Sequence, residues 1–172
     1  MNKKELDQEM KRYREIGFNA WQMEQIRRGL EKSIDVSKYA DPKFANNQMF
    51  EIRKGLEKGL DVSKYADPKF NRSQMEQIRC GLEAGVDVDK YANPEFDWTQ
   101  MLKIREGLEK GLDVSKYADL KFDSLQMEQI RCGLEEGINV EKYANPEFSY
   151  LQMIEIQKEL KNEKQKEPEL EM

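Results

Sequence analysis

The amino-acid sequence predicts an all-α protein, an α-solenoid of 26-residue repeats, each one longer helix plus one short helix and a proline turn. Three observations carry that expectation. The first is periodicity: the phrase Gln74–Phe96, QMEQIRCGLEAGVDVDKYANPEF, also starts at Gln22, Gln48, Gln100 and Gln126 and begins once more at Gln152. A fixed period without insertions marks a stacked repeat architecture. The second is the apolar pattern. Met, Ile and Leu fall at i, i+3 and i+7, as in Met75, Ile78 and Leu82, which makes one stripe on a helix. The third is punctuation, since a capping residue opens each helix, a glycine closes it and an Asp-Pro or Asn-Pro turn follows.

Residues 1–18 read as a worn half-repeat serving as N-terminal cap. Sliding by one period places Tyr13 over Tyr39 and Phe18 over Phe44, while Ile16 replaces Pro42. Without that proline a helix runs from about Lys3 to Ile16 and closes at Gly17. Five full repeats follow over 19–148.

In each repeat the helix start is written as a capping box. Asn19, Asn71, Asp97, Asp123 and Ser149 stand three residues before a glutamine, so cap oxygen and glutamine each satisfy a free backbone N–H. Ala45 breaks the rule before Gln48, and a frayed or shifted start is expected there. The helix, about 13 residues, ends at Gly59, Gly85, Gly111 or Gly137, with Ser33 the exception; the next residue supplies a hydrophobic latch.

The short second helix opens on a capping aspartate, as in Asp61-Val62-Ser63-Lys64-Tyr65-Ala66, and faces Val62, Tyr65 and Ala66 inward. Asp67-Pro68 stops it after one or two turns, and Phe70 plugs the exit. Leu120 replaces the proline in one unit, where a looser turn is expected.

In the last unit both glycines become Glu159 and Glu163, so a capping helix over 149–164 runs on with a polar outer face. One domain over 1–164 is expected, with a disordered tail over 165–172. Above the single repeat lies a 52-residue rhythm. QMEQIR in the odd units alternates with QMFEIR, QMLKIR and QMIEIQ, as though the chain grew by copying a pair.

Composition narrows the function classes. Hydrophobic residues are 38% and charged residues 37%, too polar for one thick core but suited to a thin stack. A net charge of −5 argues against a general nucleic-acid binder. No apolar run approaches the roughly 18 residues that cross a bilayer. The charged N-terminus lacks a signal peptide's apolar core, so a cytoplasmic protein without membrane contact is expected. Cys80 and Cys132 share a slot two repeats apart. Layers spaced about 8–10 Å put them beyond the roughly 7 Å reach of a disulfide, and reduced thiols are predicted.

The chain has no histidine, no D-x-D-x-D-G calcium spacing, and acids spread too evenly to converge. No catalytic residue, metal site or cofactor is expected, and the chain does not read as an enzyme.

The repeated residues read mainly as structure. Gly29, Gly55, Gly81, Gly107 and Gly133 each cost about 1 kcal/mol against alanine in a helix, so a neighbouring backbone, that of the short helix, is expected to cross closely. Arg27, Arg53, Arg79, Arg105 and Arg131 could track a nucleic-acid backbone. Yet Glu31, Glu57, Glu83, Glu109 and Glu135 follow at i+4, and turn aspartates such as Asp41 and Asp67 offer partners between layers. A ladder holding repeat to repeat is preferred. Lys38, Lys64, Lys90, Lys116 and Lys142 read as a solvated face. Tyr39, Tyr65, Tyr91, Tyr117 and Tyr143 read as core, each hydroxyl finding a local partner.

Binding in repeat proteins is written where the units vary. Helical projection brings Trp98 and Leu102 together on the arginine flank, with Tyr150 and Ile154 two repeats later, Phe50 two repeats earlier, and Trp21 further toward solvent. This strip is the candidate partner-binding or self-association surface. The plainer reading, preferred, is that it widens the contact between layers, with Glu24, Glu76 and Glu128 running past it.

The run Gln-Met-x-x-Ile-Arg-x-Gly-Leu-Glu-x-Gly-Leu-Asp-Val-Ser-x-Tyr-Ala-Asp-Pro-x-Phe resembles a helical repeat of uncharacterised proteins from Gram-positive anaerobes, often associated with mobile elements. The resemblance spans about residues 18–160 and implies an α-helical solenoid, with no activity, ligand or site to carry over. The reading that results is a non-catalytic protein–protein interaction or scaffold module, with a protein partner of unknown identity and self-association as one form of it. Its rival is a nucleic-acid or nucleoprotein binding factor of a mobile element, acting through the arginine ladder.

Overall fold

A computed structural model describes residues 2–166. Among them are seven α-helices and no strand: α1 (Lys3–Ile16), α2 (Ala20–Glu31), α3 (Asn46–Glu57), α4 (Arg72–Ala84), α5 (Trp98–Glu109), α6 (Ser124–Glu135) and α7 (Tyr150–Lys166). One turn of 3₁₀ helix separates each pair from α2 onward: Val36–Lys38, Val62–Lys64, Val88–Lys90, Val114–Lys116 and Val140–Lys142. The chain is thus an all-helical repeat stack with the expected period. Its contacts gather into two compact units, Met1–Val88 and a second beginning at Asp89, divided within the third short helix. The first holds α1–α4 and the second α5–α7, and within each unit every helix packs on its neighbour in sequence.

Helix starts follow the capping boxes. Asn19, Asn71, Asp97 and Asp123 accept from the glutamine N–H three residues on, and that glutamine side chain accepts from the cap N–H. The fraying expected at Ala45 does not occur, and α3 begins at Asn46 in register with the rest. Alanine has no side-chain acceptor, but Ala45 N–H still donates to Gln48 Oε1 at 2.7 Å. The Gln48 amide is in turn fixed to the carbonyls of Phe70 (2.6 Å) and Pro68 (3.1 Å). Half a box and a tertiary anchor suffice.

Helix ends also match. Gly59, Gly85, Gly111 and Gly137 have φ of 66–73°, and Ser33 adopts the same left-handed geometry at 56°. The residue after each returns its N–H to the mid-helix glycine carbonyl, as Leu60 does to Gly55 at 3.0 Å. That is the Schellman closure. The turn at Leu120 is not looser. Asp119 N–H donates to Tyr117 O and Phe122 N–H to Asp119 O, the same bonds that Asp67 and Phe70 make beside Pro68. The Asp119 side chain, accepting from Lys121 N–H at 3.0 Å, holds the turn without proline.

The core repeats layer by layer. Met49, Ile52 and Tyr65 are fully buried in the first unit, and Met101, Ile104 and Tyr117 occupy the same places in the second. The mid-helix glycines make room for a side chain rather than for a backbone. A Cβ at Gly55 would lie 1.9 Å from the Tyr65 hydroxyl oxygen, and one at Gly107 1.8 Å from that of Tyr117. Each hydroxyl passes over the glycine to donate to a carbonyl one turn earlier, Tyr65 to Glu51 O and Tyr117 to Lys103 O, both at 3.2 Å.

At the ends, α1 closes at Gly17, and Tyr13 meets Phe18 edge-on at 5.9 Å. Unbroken by glycine, α7 runs on to Lys166, and Lys164 Nζ donates to Gly137 O at 3.0 Å, placing a cation at the C-terminal end of α6. Of the tail expected to be disordered, positions 165 and 166 belong to α7, and 167–172 lie outside the described residues.

Candidate interaction surface

The most conserved-looking letters of the repeat turn inward. Gln22, Gln48, Gln100 and Gln126 cap their own helix and also reach the following turn: Gln22 Nε2 donates to Phe44 O at 2.7 Å and Gln126 Nε2 to Phe148 O at 2.7 Å. Sequence reasoning took the glutamine only as half of a capping box. The signal was its strictness, because a box accepts glutamate equally and only glutamine brings an amide donor.

The arginines form a ladder, with partners other than the expected turn aspartates. Arg53 Nε donates to Gln25 Oε1 at 3.2 Å and Arg79 Nε to Glu51 Oε2 at 2.9 Å, each reaching the preceding layer. Arg53, Arg79 and Arg131 are buried, and they also pair along their own helices with Glu57, Glu83 and Glu135. Burial works against the Arg79 charge, but the bonds to Glu51 and Glu83 outweigh it and hold its pKa above the ordinary value. Asp41 and Asp67 instead hold their own turns through the N–H of Lys43 and Lys69. Of the repeated lysines, Lys38, Lys90 and Lys142 are exposed, and Lys116 pairs with Glu141 at 2.7 Å.

The six residues of the varying strip do not form one group. Trp21 and Phe50 lie in the first unit; Trp98, Leu102, Tyr150 and Ile154 lie in the second. Phe50, Leu102 and Ile154, which share a slot, are half-buried. Phe50 is shielded by the cations of Lys54, Arg53 and Arg72 at 4.8–5.8 Å from its ring centre. Trp21, Trp98 and Tyr150 stand in the solvent, at 73%, 45% and 36% exposure.

Sequence reasoning missed Leu120, Leu125 and Leu151, exposed by 44%, 51% and 57%. Leu125 and Leu151 occupy the slot of Trp21, where the other units carry Asn47, Ser73 and Thr99. An apolar letter in an otherwise polar slot was the available signal.

The glutamine bridges bring these residues to one edge of the second unit. Gln100 Nε2 donates to Phe122 O at 2.7 Å, seating the turn before α6 against the start of α5. Gln126, bonded to Pro146 O and Phe148 O, seats the turn before α7 against the start of α6. Trp98, Leu120, Leu125, Tyr150 and Leu151 all belong to these helix starts and turns.

Among the described residues no three His, Cys, Asp or Glu side chains are placed to hold a metal ion, and every buried side-chain nitrogen and oxygen has a partner. An open hollow between α1 and α2 is lined by Met10, Arg14, Phe18 and Met23. Cys80 and Cys132 are free and half-buried, and burial together with Glu128 pushes the Cys132 thiol up. Among the described residues no helix is long and apolar enough to cross a membrane. Compared with family models, curated proteins and solved structures, the chain finds no match.

Proposed function

We propose that this protein is a non-catalytic protein–protein interaction module, built on a repeat skeleton and read by its partner at positions where the repeats differ. One observation carries the reading. The repeated glutamines, tyrosines and buried arginines are committed to bonds inside the stack, whereas the large exposed apolar side chains sit in slots that vary from unit to unit. Exposed aromatic and aliphatic side chains on a rigid frame are the usual anchors of a protein interface. Two unpaired thiols fit a reducing, cytoplasmic setting. The burial of Arg53, Arg79 and Arg131 against carboxylates weighs against the arginine ladder as a nucleic-acid surface.

Cross-linking capture with the wild-type chain, run beside heparin and DNA columns at physiological salt, tests the reading. The expected result is a stoichiometric protein partner with no retention on either column. Retention on heparin or DNA without any captured protein would transfer the function to a nucleic-acid factor of the kind the resemblance suggests.

A further inference from the structure

Among the described residues, five of the seven large hydrophobic side chains that stand exposed lie on the helix-start edge of the second unit: Trp98, Leu120, Leu125, Tyr150 and Leu151. The same slots of the first unit are filled differently. Asn46, Asn47, Arg72 and Ser73 stand at its helix starts, and in these slots Ile16 and Trp21 are its exposed large apolar residues.

Charge differs in parallel. Around the apolar edge lie Glu95, Asp97, Asp119, Asp123 and Glu147 against the single cation Lys121, all exposed. The matching turns and starts of the first unit carry Asp41 and Asp67 against Lys43, Lys69 and Arg72. Asp97, Asp119 and Asp123 each accept from neighbouring N–H groups through Oδ1, and among the described residues Oδ2 has no hydrogen-bond partner. A helix start carries about half a positive charge. Aspartate caps at α5 and α6 more than offset it, so the edge stays negative.

We infer that this edge of the second unit docks a basic amphipathic segment of a partner protein, its apolar face on Leu125, Tyr150 and Leu151 and its lysines or arginines against Asp119, Asp123 and Glu147. The inference rests on the interaction-module reading and names the surface and the chemistry. Charge selects this occupant. A second copy presenting the same edge would set carboxylates against carboxylates, and a copy presenting the first unit's edge would bring Asn46, Asn47 and Ser73 where an apolar face is needed. An anionic lipid surface is repelled for the same reason. A basic amphipathic segment satisfies both the apolar and the acidic requirement.

The test is fluorescence anisotropy at physiological salt with a labelled Leu/Lys amphipathic helical peptide and its Leu/Glu counterpart of equal hydrophobicity. The wild-type chain should bind the Leu/Lys peptide at least about tenfold more tightly than the Leu/Glu peptide. The double variant Leu125→Ser, Leu151→Ser should lose about tenfold or more of that affinity while keeping its helical circular dichroism, since both side chains are solvent-facing. Trp21→Ala should leave binding unchanged. Asp119→Asn with Glu147→Gln should weaken binding and flatten its salt dependence. Equal binding of both peptides, or binding that survives the leucine double variant, overturns the assignment. A concentration-dependent dimer in sedimentation, abolished by the same variant, would make the occupant a second copy and also overturn it. If the leucine variant still captures the partner that the wild type captures, this edge is wrong while the module reading stands. If the wild type captures no partner and binds neither peptide, both fail.

Discussion

The two units use one skeleton and solve the contact between layers differently. In the first, the residue facing the next layer's arginine is Gln25 or Glu51, and Glu51, fully buried, bonds Arg79 directly while receiving Arg72 at 3.3 Å. In the second, the same slot holds Lys103, a cation facing the cation Arg131. Two glutamates resolve the conflict: Glu128 pairs with Lys103 at 2.9 Å and Arg131 at 2.7 Å, and Glu106 stands 3.4 and 3.5 Å from the same two cations. Burial alone would raise the Glu128 pKa, yet its bonds to Arg131 and Lys103 hold it below the ordinary value. Repeat identity governs the shape of a layer, whereas its polar contacts are settled locally, by whichever charges meet there.

Substitution at this slot should separate the units most. Glu51→Ala leaves the buried Arg79 guanidinium with Glu83 as its carboxylate partner, and breaking such a buried pair costs about 3 kcal/mol. Lys103→Ala removes one of two facing cations and should cost less than about 1 kcal/mol. Glu51→Gln should stay near 1 kcal/mol, because Gln25 already serves Arg53 in that form. Urea unfolding of the three variants reads these differences, and equal losses at Glu51 and Lys103 would erase the contrast.

The tyrosine slot should not distinguish the units. Gly55→Ala and Gly107→Ala each drive a Cβ into a buried, rigid phenol, and overpacking should outweigh the gain in helix propensity by about 2 kcal/mol. In Tyr65→Phe or Tyr117→Phe backgrounds the clashing oxygen is gone, and the same change should cost under about 1 kcal/mol. A glycine variant that melts higher than wild type would remove this explanation of the repeated glycine.

Alkali should act on both units alike. Burial raises the phenol pKa of Tyr39 and Tyr65 in the first unit and of Tyr117 and Tyr143 in the second. The folded state therefore holds these protons more tightly than the unfolded chain. Their stabilisation is complete below the unfolded value of about 10 and declines as pH rises above it. Phenolate absorbance followed alongside circular dichroism should show ionisation and unfolding together, with a later onset in each Tyr→Phe variant.

Two small gains complete the series. Ala45→Asn restores the missing half of a capping box in the first unit and should add about 1 kcal/mol. Leu120→Pro in the second unit, where the turn already matches its proline-bearing equivalents, should add about 0.5 kcal/mol by restricting the unfolded chain. A loss at Leu120→Pro would show that the leucine turn differs from the others after all. Thermal melts resolve both.

Much of this fold was legible. Asn19 before Gln22 foretold a helix start and Gly85 before Val86 a helix end, because both signals act within one helical turn. The alternation above the repeat pointed to Trp98 and Tyr150, which do stand exposed. It also pointed to Phe50, Leu102 and Ile154, half-buried because helical projection places a side chain relative to its own axis and takes no account of the neighbouring layer. Leu125 and Leu151 were passed over for a related reason. Each follows the capping residue by two, where a single helix gives no clue that its slot returns to the same edge in the next layer.

The sequence by itself determined the period, the seven helices, their caps and their stops, since each depends on hydrogen bonds spanning a few residues of one chain segment. Only the tertiary structure decided what the mid-helix glycine admits, what the side-chain N–H groups of the glutamine hold, which charge answers each arginine, and which varying residues reach solvent. Those contacts join residues 14 to 28 positions apart. At that separation a residue's partner is set by the stacking of one layer on the next, which no local rule encodes.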